Sequence, residues 1–161
     1  MSDTRRKARE EALQILYSSE LTGKDISEIL SDPSIIRPDG SDFRDFTKDL
    51  VSNTIQNSKD AEILIEKHTR NWKLSRIAFI DKVILRLAIS EFLFFPEIPQ
   101  KVTINESLEI AKKFSTSKSG KFINGILDSI YKDLSAEHKI FKEGAGLNRK
   151  NVKKAKNKSA K

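Results

Sequence analysis

Lys112, Lys113, Lys118 and Lys121 crowd the short Ser/Thr/Lys/Gly stretch from Ser115 to Gly120, and Phe122 stands directly behind it. On a wheel of about 100° per residue, the apolar stripe Ile123, Ile126, Leu127, Ile130 and Leu134 leaves Phe122 roughly 100° from its centre, at the shoulder of the apolar face. Gly120 beside it permits close backbone approach. Single-stranded RNA asks for this combination, because phosphates need cations and unstacked bases need an aromatic ring. Lys118, Lys121 and Phe122 are therefore candidate RNA contacts. A phenylalanine half-buried at the edge of a core fits the same position, and the sequence leaves both readings open.

A second basic group lies where helix physics disfavours it. Arg5, Arg6, Lys7 and Arg9 occupy the first turns of a segment whose Ala8, Ala12, Ile15 and Leu16 repeat at helical spacing. A helix N-terminus carries positive dipole charge, so each cation there costs about 0.3 to 1 kcal/mol at low salt. Pairing of Arg6 with Glu10 and of Lys7 with Glu11 at i,i+4, or solubility alone, could account for part of the cluster. Two such pairs leave Arg5 and Arg9 over, and an anionic partner such as RNA accounts for those.

The residues offer little for catalysis. His68 and His138 have no carboxylate or cysteine pattern that would hold a metal, and the chain has no cysteine at all. Ser115 to Lys118 matches the S-x-x-K of acyl-enzymes without its companion motifs. Ser115 to Phe122 resembles a phosphate loop whose first glycine is Ser115 and whose final hydroxyl is Phe122, with no strand before it. Gly144-Ala145-Gly146 is not a dinucleotide fingerprint. Thr103 and Glu106 have the spacing of a capping box, which explains Glu106 as a helix-start residue. The expectation is a protein without catalytic residues, metal or cofactor.

Helices are the elements that must carry these groups. Gly23 closes the first helix, which spans about residues 4 to 20. A short helix is expected over Ile26 to Leu30, then a turn-rich loop from Asp32 to Gly40. Further helices follow around Phe43 to Ile55 and Ile63 to His68. Ser75 reads as the N-cap of a long, nearly all-round apolar helix through Phe95, stopped by Pro96 and Pro99. The last helix is expected over about Ser119 to Leu134. No strand pattern stands out.

The chain has 161 residues and a formal net charge of +7. Eight lysines and arginines lie from Lys142 onward against Glu143 alone, which leaves 22 basic and 22 acidic residues in the body. Any basic face on the body must therefore come from clustering and not from excess. Residues 1–141 are expected to form one compact all-α domain, and residues 142–161 a lysine-rich disordered tail. No apolar run reaches the length of about 18 residues that a membrane span needs. The lack of cysteine is compatible with a reducing cytoplasm.

Four segments together resemble the bacterial transcription antitermination factor NusB family. They are Arg5-Arg-Lys-Ala-Arg-Glu-Glu-Ala-Leu-Gln-Ile-Leu-Tyr17, Ile80-Asp-Lys-Val-Ile-Leu-Arg-Leu-Ala-Ile-Ser-Glu91, Ile98-Pro-Gln-Lys-Val-Thr-Ile-Asn-Glu106 and Lys121-Phe-Ile-Asn-Gly-Ile-Leu-Asp128. The resemblance implies about seven helices in two small bundles and no catalysis. It implies binding to the boxA element of nascent ribosomal RNA as a heterodimer with the small-subunit ribosomal protein NusE, and through that complex an indirect link to elongating RNA polymerase. By matching position it puts Arg5, Arg6, Lys7, Arg9 and Phe122 on RNA, and Tyr17 and Asp81 on the protein partner. Residues 21–76 match only in helical character. Lys118 departs from the family, in which this position is commonly acidic. A protein-only scaffold, or an RNA-binding appendage of an rRNA-modifying enzyme, are the alternative readings.

Overall fold

A computed structural model describes residues 2–31, 41–69 and 77–147. Its helices are α1 (Ser2–Thr22), α2 (Ile26–Leu30), α3 (Ser41–Gln56), α4 (Ser58–His68), α5 (Phe79–Phe94), α6 (Gln100–Phe114) and α7 (Ser117–Ala136), followed by a 3-10 turn at Gly144–Gly146. No strand occurs among the described residues. The expected 32–40 loop and the Ser75 cap lie outside them.

Helix α5 is the shared wall of two small bundles. On one side it packs with α1 and α3, α2 joining through α1, and on the other with α4, α6 and α7. Its sequence explains the position, because every residue from Val83 to Phe92 is buried, so no face is left for solvent. The α1 stripe of Ala8, Ala12, Ile15 and Leu16 and the α7 stripe of Ile123, Ile126, Leu127, Ile130 and Leu134 all lie in the core, as their spacing predicts. Each fully buried leucine or isoleucine contributes about 1.5 to 3 kcal/mol by leaving water.

Helix ends follow local chemistry, with one departure from expectation. Gly23 ends α1 at φ +69°, its amide donating to Ser19 O at 2.9 Å. His138 takes the left-handed conformation that ends α7 (φ 57°), while Lys139 N reaches back to Leu134 O at 2.9 Å. The capping box does not form. Helix α6 starts at Gln100 behind Pro99, which puts Thr103 inside the helix. Thr103 is wholly buried, and its hydroxyl donates to Glu91 Oε1 at 3.2 Å. Proline, with a fixed φ and no N–H to satisfy, already serves as the helix start.

Two buried arginines tie the bundles to α5. Arg9 of α1 gives Nε and Nη2 to the two oxygens of Glu91 at 3.0 and 2.8 Å. Arg86 of α5 is 9% exposed and pairs with Glu20 of α1 and Glu62 of α4. His68 of α4 meets α7 in the same manner, with Nδ1 2.7 Å from Ser129 Oγ and Nε2 3.0 Å from Asp133 Oδ2.

Lys142, Glu143 and Gly146, assigned to the tail by composition, lie against the body. Lys142 Nζ donates to Glu91 O at 3.2 Å and Phe95 O at 2.9 Å, Glu143 N donates to Pro96 O at 3.1 Å, and Gly146 is buried.

Candidate nucleic-acid interface

The basic start of α1 divides into cations with different duties. Arg5 and Lys7 are exposed and Arg6 is half-buried, but Arg9 is only 3% exposed. Both branches of the Arg9 fork are committed to Glu91, itself 2% exposed. The expectation that Arg9 is free for RNA is thus corrected: a carboxylate 82 positions away holds it. Burying the two charges together needs a paired geometry of this kind, since either one alone would be strongly destabilising. Arg5 stays outside, its guanidinium 5.2 Å from the centre of the Phe46 ring, with Arg9 at 5.6 Å from the same ring.

Arg6 and Glu10 point along α1 towards α6. Arg6 donates to both Glu106 oxygens, at 2.7 and 3.0 Å, and Glu10 accepts from Lys113 Nζ at 2.9 Å. Glu106 is therefore the partner of Arg6 rather than a helix cap. These two bridges bind the first turns of α1 to the middle and end of α6, so the arginine-rich segment is moored to the helix that leads into the lysine-rich junction. Lys112 and Lys113 occupy the last turn of α6, where cations favour the helix dipole. Lys112 reaches Glu109 at 3.3 Å.

At that junction α7 starts under the cap of Thr116, whose hydroxyl accepts from Ser119 N at 3.3 Å. Lys118 and Lys121 are exposed on the first turns of α7. Phe122 is half-buried and packs against the core cluster. The structure thus places it at the shoulder that the helical wheel predicts.

Asp81 is not a surface charge. It is 5% exposed in the first turn of α5, and its oxygens accept from Ser115 Oγ and Ser119 Oγ, each at 2.8 Å. The S-x-x-K serine is committed to this anchor. Tyr17 is half-buried against Phe79, ring centres 5.3 Å apart and tilted 48°, two residues before Asp81. Both residues expected on a protein partner thus gather at the N-terminal end of α5, one at the surface and one beneath it.

Glu91 and Ser119 are organising residues that sequence reasoning did not single out, and Glu106 and Ser115 are ones it considered only for other roles. An acidic residue inside the otherwise apolar α5 run was the available signal for Glu91, because a buried carboxylate demands a cationic partner. Among the described residues no cluster of three His, Cys, Asp or Glu could hold a metal, and no helix is long and apolar enough to cross a membrane.

Two helical bundles sharing one buried helix, with the basic start of α1 moored to the helix that leads into a lysine-rich junction, define a class of small all-helical proteins. The model of the NusB family matches residues 6–132, and the chain belongs to that family. It is 41% identical over 147 residues to a transcription antitermination protein NusB of Chloroherpeton thalassium, covering 89% of this chain and 69% of that one. It is 40% identical over 147 residues to the same-named protein of Salinibacter ruber, covering 89% and 91%. Among solved structures, T. maritima NusB superposes with a TM-score of 0.74 at 34% identity, covering 80% of this chain and 91% of that one. A structure of antitermination factors NusB and NusE in complex with dsRNA superposes with a TM-score of 0.72 at 27% identity, covering 83% and 99%.

Proposed function

We propose that this protein is a transcription antitermination factor that binds boxA-type single-stranded RNA of nascent ribosomal transcripts as a heterodimer with the ribosomal protein NusE, and acts on elongating RNA polymerase through that complex. The observation that carries the reading is the mooring of α1 to α6 by Arg6–Glu106 and Glu10–Lys113, which joins the segment bearing Arg5, Arg6 and Lys7 to the helix that ends at the junction bearing Lys118, Lys121 and Phe122. Phosphates meet the cations, and a base stacks on the ring of Phe122. The role proposed for Arg9 is to hold α1 in place rather than to touch RNA. The protein partner takes the Tyr17–Phe79 end of α5, with Asp81 supporting that surface from below. Relatives named transcription antitermination protein NusB support the antitermination reading, and the related complex of NusB and NusE with dsRNA supports association with NusE and RNA.

The test is a titration of boxA-type and scrambled RNA, single-stranded and duplex, with and without NusE, across a salt series. The proposal expects single-stranded boxA to bind most tightly, with NusE adding affinity. Equal affinity for boxA and scrambled RNA in both conditions would remove the boxA assignment. Absence of any salt-dependent RNA binding, with NusE still bound, would favour the protein-only scaffold.

A further inference from the structure

A cleft opens where the last turns of α1 and α3 meet the starts of α2 and α4 and the first half of α5. Leu16, Ile26, Ile55 and Val83 give it an apolar lining, and Glu20 and Arg86 stand in its wall. Leu16 lies ten residues along α1 from Arg6, about 15 Å at the helical rise, so the cleft is not part of the arginine-rich start. Nor is it the Tyr17–Phe79 surface. Successive residues of a helix point about 100° apart, and Leu16 turns into the cleft while Tyr17 turns to Phe79.

Size and charge narrow what the cleft can take. It holds about 200 Å³, whereas pockets for cofactors and drug-sized molecules run from about 300 to 1,000 Å³. One or two aliphatic side chains fit. Ile55, in the lining, is 43% exposed, so the apolar surface reaches the outside. Arg86 gives one terminal nitrogen to Glu20 and the other to Glu62, and two carboxylates on one guanidinium leave a negative charge in excess. The side chain of Arg86 is 10% exposed and those of Glu20 and Glu62 are each 38% exposed, so the excess faces solvent. Neither α1 nor α3 has a basic residue in its last turn to offset its dipole, and the positive start of α4 is met by Asp60 in its own first turn. Lys24 and Lys59 on the adjoining turns are matched by Asp25 and Asp60. A phosphate or carboxylate is repelled here and a cation is attracted.

We propose that this cleft docks a segment of a second protein partner, distinct from NusE, that carries one aliphatic side chain flanked by lysine or arginine. The aliphatic group enters between Leu16, Ile55 and Val83, and the flanking cation meets the outward oxygens of Glu20 and Glu62. The RNA face and the Tyr17 surface stay open to their own ligands.

The test titrates isotope-labelled full-length protein with three tripeptides capped at both ends: lysine-leucine-lysine, lysine-serine-lysine and glutamate-leucine-glutamate. Amide shifts at Leu16, Ile55 and Val83 should saturate with the first. Its affinity should exceed that of the serine peptide by about tenfold, the share of a buried leucine, and that of the glutamate peptide by about threefold, the share of an exposed ion pair. Glu20→Gln leaves Glu62 on Arg86; it should erase the preference over the glutamate peptide and retain the preference over the serine peptide. Ile55→Ser, at an exposed position, should do the reverse. If Ile55→Ser melts early, the three peptides on wild type and Glu20→Gln decide alone. No saturable shift at the three amides, equal affinity for the leucine and serine peptides, or a preference for the glutamate peptide overturns the proposal. Self-association that Ile55→Ser abolishes would give the cleft to a second copy of this chain and overturns it too. With NusE bound, the affinity for lysine-leucine-lysine should be unaltered. Its loss would assign the cleft to the NusE surface and overturn the separate partner, and none of these outcomes depends on the RNA reading.

Discussion

Arg9 and Arg5 lie one helical turn apart on α1, and burial separates their roles. Arg9→Ala leaves Glu91 as an uncompensated charge in the core and should cost about 3 to 5 kcal/mol in urea unfolding. Arg5→Ala should leave melting nearly unchanged while flattening the RNA salt slope by about 0.7, the share of one phosphate on a single strand. An Arg5 variant with an unaltered slope would take that residue off the RNA. Phe122 needs two substitutions, because it faces both core and solvent. Phe122→Leu retains apolar burial and removes the ring, so it should lower RNA affinity by about 1 to 3 kcal/mol with little change in melting. Phe122→Ala should lose stability as well, and an unchanged affinity in the leucine variant would make the residue purely a core element. Lys118 is exposed one turn before it on α7. Lys118→Asp should lower total affinity yet widen the ratio of boxA to scrambled RNA, since it removes an attraction that is blind to sequence. A narrowed or fixed ratio across a salt series would leave Lys118 as a solvated charge.

At the scale of elements, the α6–α7 junction is held from below by α5. Asp81 fixes Ser115 and Ser119, so the turn that carries Lys118 and Phe122 is fastened to the same helix end that presents Phe79 and Tyr17. Asp81→Ala should cost about 1.5 to 3 kcal/mol. The two hydroxyls already lie 3.0 Å apart and can bond each other, which limits the loss to that of a charge-assisted acceptor. NusE affinity and RNA affinity should fall together in this variant, whereas Tyr17→Ala should weaken only the protein partner. Calorimetry that found the Asp81 variant impaired towards one ligand alone would break the link between the two surfaces.

For the whole molecule, α5 is where the two bundles, both buried arginines and Lys142 converge. Burial pushes the Lys142 ammonium below its ordinary value of 10.5, with Glu91 and Glu97 opposing the shift. Between the lowered value and 10.5 the unfolded chain binds more protons than the folded one, so the contribution of this group to stability rises with pH across that window. Below the lowered value the penalty is fully present. Unfolding of wild type and Lys142→Met compared from about pH 8 upward should show wild type gaining on the variant as pH rises. A constant difference would mean that Lys142 has the same affinity for its proton in both states.

The helices, their buried stripes and the charge imbalance of the C-terminus were legible in the sequence, because each depends on residues within a few turns of one another. Ala8 to Leu16 and Ile123 to Leu134 declare their faces by spacing alone, and the shoulder position of Phe122 follows from the same geometry. The four segments that resemble the NusB family carried the rest. Spacing could not distinguish Arg9 from Arg5, since both sit on a basic helix start. Nor could it reveal that Glu106 serves Arg6, that Asp81 is buried under two serines, or that Lys142 turns back to cap α5. Those choices join residues 82 and 100 positions apart in the first two arginines and 34 to 51 in the others. They exist only once helices cross at fixed angles and expel water from between them, because it is that desolvation which forces each buried charge to find its partner.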